Sequence, residues 1–91
     1  MVKKRNRIEL IYSILSIIKE NKNYIKPTPL LRYSNLSSQR FSEYLKELLQ
    51  KGFIKEIKDK KERKYYALGD RGFRFLDKYD TIRTFITDFD L

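Results

Sequence analysis

The sequence contains no cysteine and no histidine. The first absence excludes disulfides, thiolate nucleophiles and zinc–thiolate centres. The second takes away the commonest general base and the commonest metal ligand. An enzyme built on this chain would have to work with Asp, Glu, Lys or Tyr alone, and no carboxylates cluster at helical spacing in the predicted core to suggest one. No cofactor and no metal are expected. No apolar run approaches the roughly 18 residues that a membrane span requires. The N-terminal MVKKRNR is basic, but the segment behind it carries Glu9, Lys19 and Glu20, a poor match to a signal peptide. The expectation is a cytoplasmic protein with no membrane partner. Repeats, low-complexity segments and linkers are also missing, so 91 residues make one small domain.

What the chain does have is apolar residues and positive charge. At 41% hydrophobic, with seven Tyr and six Phe, it buries a core despite 36% charged residues. A core this small is marginal alone, which favours a partner subunit. The net charge of +9 is segregated. Residues 1–7 carry four cations and no anion, residues 8–52 seven against four, residues 53–68 six against three, and residues 69–91 four against five. Solubility requires no such segregation. It points to one end facing a polyanion and to a C-terminal segment with another task.

The first periodic stretch, RIELIYSILSIIKE, places Ile8, Ile11, Tyr12, Leu15 and Ile18 at helical spacing. Leu10, Ile14 and Ile17 form a second apolar face that needs cover from the last helix or from a second chain. Asn21 and Asn23 end this helix, and Tyr24 and Ile25 suit a very short strand. Thr28 is then expected to cap a helix of about a turn and a half with Pro29 at its first position. Asn35 and Leu36 make a tight turn. Ser37 or Ser38 caps the next helix, which sets Phe41, Leu45, Leu48 and Leu49 on one face and stops at Gly52. FIKEIKDKKERKYYAL reads as a hairpin with Phe53, Ile54 and Ile57 on one arm, Tyr66 and Leu68 on the other, and a charged tip from Lys58 to Lys64. After Gly69-Asp70 a last helix runs nearly to the C-terminus. Gly72 in its first turn suggests close approach to the hairpin backbone.

Two helices joined by a tight turn make a helix-turn-helix, and a hairpin directly after the second makes it winged. The expected class is therefore mainly α with a small β-hairpin: a winged helix-turn-helix head over residues 1–69 and a C-terminal helix over residues 70–91, in one structural domain. With Phe41, Leu45 and Leu48 turned inward, Gln39, Glu43, Lys46 and Gln50 point outward, flanked by Arg40 and Ser42. In helix-turn-helix proteins the start of this helix enters the major groove. Ser38, Gln39, Arg40 and Ser42 are candidates for base edges and Lys46 for a phosphate, with Ser37 beside them among the candidate DNA-binding residues. Glu43 and Glu47 oppose phosphates, so sequence specificity should be modest. Lys60, Lys61 and Arg63 at the hairpin tip suit phosphates, although charge there also guards an edge strand against aggregation. Lys3, Lys4, Arg5 and Arg7 suit an arm that reaches the duplex. Thr28 is a weaker phosphate candidate.

The last helix carries two patterns. Phe73 and Leu76 are expected to seal the core. Phe75, Tyr79, Ile82, Ile86 and Phe89 follow the 4-3-4-3 spacing of an a/d seam, which calls for a second copy together with Leu10, Ile14 and Ile17.

The segments RIELIYSILSIIKE, LLRYSNLSSQRFSEYLKELLQKGFI, YYAL and GDRGFRFLDKYDTI together resemble the archaeal winged-helix DNA-binding proteins of the Sulfolobus 10a chromatin type, across nearly the whole chain. That resemblance implies a homodimer joined by an antiparallel coiled coil of C-terminal helices, with two heads at opposite ends that bind double-stranded DNA. The matching contacts would be the wing Lys and Arg residues and the polar face between Ser38 and Lys46. The function expected is therefore a dimeric double-stranded DNA-binding protein, either a transcription regulator or an architectural chromatin protein. The alternative is a winged-helix interaction module for an acidic protein. The pairing of basic arm and basic wing around the helix favours DNA, whereas an exposed hydrophobic patch would favour a protein.

Overall fold

The first and third helices begin on a side chain that accepts a first-turn N–H, the second begins on a proline, and the fourth begins on Gly69 without a side-chain cap. The computed structural model describes residues 6–90. Helix α1 runs Arg7–Glu20, and the side chain of Asn6 accepts from the Glu9 N–H at 2.8 Å. At its other end the Asn21 side chain donates to the Ile17 carbonyl at 2.7 Å. Helix α2 runs Pro27–Ser34. It opens on Pro27 rather than Pro29, because the first proline already holds the φ that the first helical residue needs. Thr28 therefore lies inside the first turn and does not cap it; the capping position is Lys26, without a side-chain bond. Asn35, in the left-handed region at φ 59°, closes α2. Ser37 caps helix α3, Ser38–Gln50, by accepting from the Arg40 N–H at 3.2 Å. Gly52 at φ 79° ends that helix in a conformation which L side chains rarely adopt.

Strands β1 (Ile54–Lys58) and β2 (Lys64–Leu68) form the antiparallel hairpin, with Ile54 opposite Leu68 and Lys58 opposite Lys64. Ile25 adds a one-residue third strand on the far side of β2: it exchanges both backbone hydrogen bonds with Tyr66, at 3.1 and 2.8 Å. Helix α4 spans Asp70–Asp88, about 28 Å at 1.5 Å per residue. Its start is pressed against the hairpin. A Cβ on Gly69 would lie 2.3 Å from the Gly52 carbonyl oxygen, and one on Gly72 would lie 2.2 Å from that of Phe53. The close approach expected at Gly72 is present, and it holds at Gly69 as well.

The three helices of the head and the hairpin enclose a core in which Ile14, Leu15, Ile18, Leu30, Leu48, Ile54 and Leu68 are fully buried. Each such side chain contributes about 1.5–3 kcal/mol of burial. Among the described residues Ser34 is a buried polar one; its hydroxyl donates to the Leu31 carbonyl at 2.6 Å and accepts from the Leu36 N–H at 3.3 Å.

Two expectations about α1 and α4 change. Leu10 and Ile14 are buried within the chain at 4% and 1% exposure, so they have no surface left for a second copy, and Ile17 packs half-buried against the core. The core stripe of α4 is Gly72 and Leu76, with Phe75 packed against it, while Phe73 is 44% exposed. The tight seat of Gly72 sets this phase, because it turns residue 72 toward the hairpin and residue 73 about 100° away.

From Asp80 onward every described residue of α4 is exposed. Its midpoint is fastened to α1. Tyr12 stacks on Tyr79 at 4.3 Å, the Tyr12 hydroxyl donates to Asp80 Oδ1 at 2.8 Å, and Arg83 Nη1 donates to the Tyr12 oxygen at 2.7 Å. No helix among the described residues is long and apolar enough to cross a membrane.

Candidate nucleic-acid interface

Helix α3 buries Phe41 and Leu48 and holds Leu45 half-buried, which leaves Ser38, Gln39, Arg40, Ser42, Glu43, Lys46 and Gln50 exposed. The outward face is the one the sequence predicts. Serine caps the helix and Ser38, Gln39 and Arg40 occupy its first turn, so hydrogen-bonding groups stand at the end of the helix where the unpaired backbone N–H groups also point. Ser37 is exposed, but its oxygen is taken by the Arg40 N–H.

Further along α3, Glu47 receives hydrogen bonds from Arg7 at the start of α1 and from Lys51 at 2.8 Å. These two bonds, that from Arg7 the larger, hold the Glu47 carboxyl down to about 2. The pairing answers the problem of a carboxylate on this helix: Glu47 is neutralised within the protein. It also commits Arg7, a predicted arm residue, to the body of the fold, where its guanidinium lies 5.9 Å from the Tyr44 ring as well. Lys3, Lys4 and Arg5 lie outside the described residues.

At the hairpin tip, one carboxylate organises the turn. Asp59 Oδ1 accepts from the N–H groups of Lys61 and Arg63 at 2.8 and 2.9 Å, and Oδ2 accepts from Arg63 Nε at 2.7 Å. The Arg63 backbone N–H is the largest of the influences that keep the Asp59 carboxyl below its usual range. Glu62 takes the left-handed conformation at φ 62° to close the turn. Arg63 is therefore a structural residue of the tip as much as a cation for a ligand, whereas Lys60 and Lys61 are exposed and make no salt bridge among the described residues.

Several exposed residues near these elements carry no sequence-based assignment: Lys26, Arg32 and Tyr33 on or before α2, and Lys55 on β1; Lys58 and Lys64, the predicted ends of the charged tip, are exposed too. The i, i+4 spacing of Thr28 and Arg32 on a short helix was the available signal. Only the packing of Leu30 and Ser34 inward fixes which side of α2 is free. Thr28 itself is exposed.

Among the described residues no group of three or more His, Cys, Asp or Glu is placed to hold a metal ion. The groove of about 260 Å³ between α1 and α3 is lined by Arg7, Arg40, Glu43, Tyr44 and Glu47, a balance of cations and anions rather than a concentrated anion site. Of the predicted seam, Phe75 and Tyr79 are half-buried in the chain itself, while Ile82, Ile86 and Phe89 are exposed at 56%, 41% and 63% and Phe85 at 55%.

Comparison with known proteins agrees with this arrangement. Residues 4–87 match the winged helix-turn-helix family. Sso10a-2, described as a DNA-binding protein from Sulfolobus solfataricus, has the same fold: its crystal structure superposes with a TM-score of 0.67 over 94% of this chain and 90% of its own, at 17% sequence identity. An uncharacterized protein of Methanocaldococcus jannaschii is 44% identical over 59 residues, which is 65% of this chain. The match spans 59% of that relative's length.

Proposed function

Because this chain belongs to the winged helix-turn-helix family, we propose that it binds double-stranded DNA as a homodimer, with modest sequence specificity, as a transcription regulator or an architectural chromatin protein. The observation that carries the reading is the exposed polar face of α3 beside a hairpin whose tip presents Lys60 and Lys61, in a chain of net charge +9. The start of α3 lies in the major groove, Gln39 and Arg40 meet base edges, and Lys46 and the wing lysines neutralise phosphates. Base readout is limited to few side chains, because Glu43 on the same face disfavours close phosphate contact. The DNA-binding description of Sso10a-2 supports the reading through the shared fold. The contact chemistry calls on no catalytic group, cofactor or metal.

The dimer rests on α4. Ile82, Phe85, Ile86 and Phe89 are spaced i, i+3, i+4, i+7 on the exposed stretch from Asp80 onward, and four large apolar side chains this exposed need a partner surface. A second α4 supplies one of the same shape. That this apolar run lies on α4, and not among the cations of α3 and the wing, favours DNA over an acidic protein on the basic face.

The test is binding of a labelled duplex by the wild-type chain and by Gln39→Ala/Arg40→Ala. Removing both base-reading side chains is expected to weaken binding to a selected site by about tenfold or more, with the affinity for random duplex changed far less. Equal affinity of both proteins for every duplex would place α3 outside the groove.

A further inference from the structure

Tyr24 is placed with more care than the core requires. Lys22 and Asn23, just before it, both sit in the left-handed region, at φ 63° and 59°. Such a turn persists where neighbours over-determine it. The Asn23 N–H donates to the Ile18 carbonyl at 2.9 Å, the Asn23 side-chain oxygen accepts from the Leu68 N–H at 2.6 Å, and Ile25 is paired with Tyr66. The outcome is that the Tyr24 ring lies flat on Tyr65, centroids 4.0 Å apart and planes 14° from parallel. Strand alternation turns Tyr66 and Leu68 to the core and Tyr65 to the opposite face of the hairpin. Tyr65 is nonetheless only 9% exposed, while Tyr24 above it is 45% exposed. Lys26 stands 5.9 Å from the Tyr65 ring centre.

An exposed aromatic ring backed by a second ring is what a nucleobase stacks on; here a cation, Lys26, lies beside the backing ring, while Asp59 and its partner Arg63 are the charged groups that act on Tyr24 itself. We propose that Tyr24 is a stacking platform for an unpaired base of a DNA strand, so that the wing holds single-stranded or frayed DNA in addition to any duplex contact of α3. The site is independent of groove binding, since it uses neither α3 nor the tip lysines. Charge complementarity selects the occupant: Asp59 is paired with Arg63, which leaves Lys26 as the cation beside the stacked pair and suits a nucleotide, with its anionic backbone, over a neutral aromatic ligand.

The protein contains no tryptophan, so Tyr24→Trp in the full chain creates a single-site reporter. Titration with single-stranded oligothymidylate at low salt is expected to quench its emission strongly, whereas a blunt duplex of the same length quenches it little. By anisotropy, Tyr24→Ala is expected to bind the oligothymidylate about tenfold or more weakly than wild type, the loss that removal of one base–aromatic stack produces, and Tyr24→Phe to bind as wild type does. Circular dichroism of all three variants checks that the fold is kept. Binding without quenching, or no binding of the single strand at all, overturns the proposal and leaves Tyr24 as a cover for Tyr65. Quenching by the single strand together with failure to bind duplex would keep this platform while removing the groove reading of α3.

Discussion

Gly72→Ala should lower stability although helix propensity alone says the opposite. In a helix interior an alanine is worth about 0.5–1 kcal/mol more than glycine, and at the third residue of α4 that is the upper bound of the gain. Here the added Cβ would lie 2.2 Å from the carbonyl oxygen of Phe53, 3.2 Å from its carbon and 3.3 Å from Leu68 Cδ2. The obstacle is backbone, not the free end of a side chain. That same carbonyl accepts the Gly69 N–H at 2.9 Å, so it cannot swing aside without breaking the bond that ties the start of α4 to the hairpin. Overpacking of this kind costs about 1–3 kcal/mol and occasionally more. Set against the propensity gain, the net loss is up to about 2.5 kcal/mol, and at about 4–8 °C per kcal/mol for a domain of this size the melting temperature should fall by up to about 10–20 °C. Thermal unfolding followed by circular dichroism measures it, with Thr84→Ala on the exposed half of α4 as a control for propensity alone. A Gly72→Ala protein that melts higher than wild type would refute the packing of α4 on the hairpin.

Three further outcomes follow from named residues. Glu47 is held at about 2 against an ordinary 4.5, so its ionised form stabilises the fold above pH 4.5 and that contribution is lost as the pH falls through 2; the stability gap between wild type and Glu47→Gln should therefore close over that window, and a gap independent of pH would contradict the Arg7–Glu47–Lys51 pairing. Ile82→Glu/Ile86→Glu should turn a sedimenting dimer into a monomer with unchanged helix content, because both side chains are exposed in the single chain; an unchanged sedimentation coefficient would remove α4 from the interface. Lys60→Ala/Lys61→Ala should reduce the slope of log K against log salt for duplex binding by about 1.8, at about 0.9 for each phosphate that is no longer neutralised, and an unaltered slope would leave the tip lysines as surface charge.

The head was legible because its signals are local. Ser37 before an apolar period, Gly52 after it, and a charged tip between two apolar arms each act within a few residues, and α3 begins and ends as its sequence predicts. What the sequence hid were interactions across the chain. Leu10, Ile14 and Ile17 look like a face in need of a partner, since periodicity counts apolar faces without saying what covers them; α1 is central to the core and the chain covers Leu10 and Ile14 itself. Phe73 and Phe75 are two residues apart and only one can face inward. The choice was made by Gly72 meeting the hairpin, a close approach whose existence the glycine suggests but whose direction it does not. Arg7 reads as part of a basic arm and instead pairs with Glu47, forty residues away. Two prolines flank Thr28; the sequence predicts a start at Pro29 with Thr28 as its cap, and the helix starts at Pro27 instead. The Tyr24–Tyr65 stack is likewise beyond any local pattern, because it depends on the one-residue pairing of Ile25 with β2.

The central claim, that the basic face neutralises DNA phosphates, is tested most directly by fluorescence anisotropy of a labelled random duplex against the wild-type chain over a series of salt concentrations. The account predicts binding that weakens linearly in log K against log salt, with a slope which, divided by about 0.9, counts several phosphates. Absence of binding even at low salt, or a slope near zero, would contradict it.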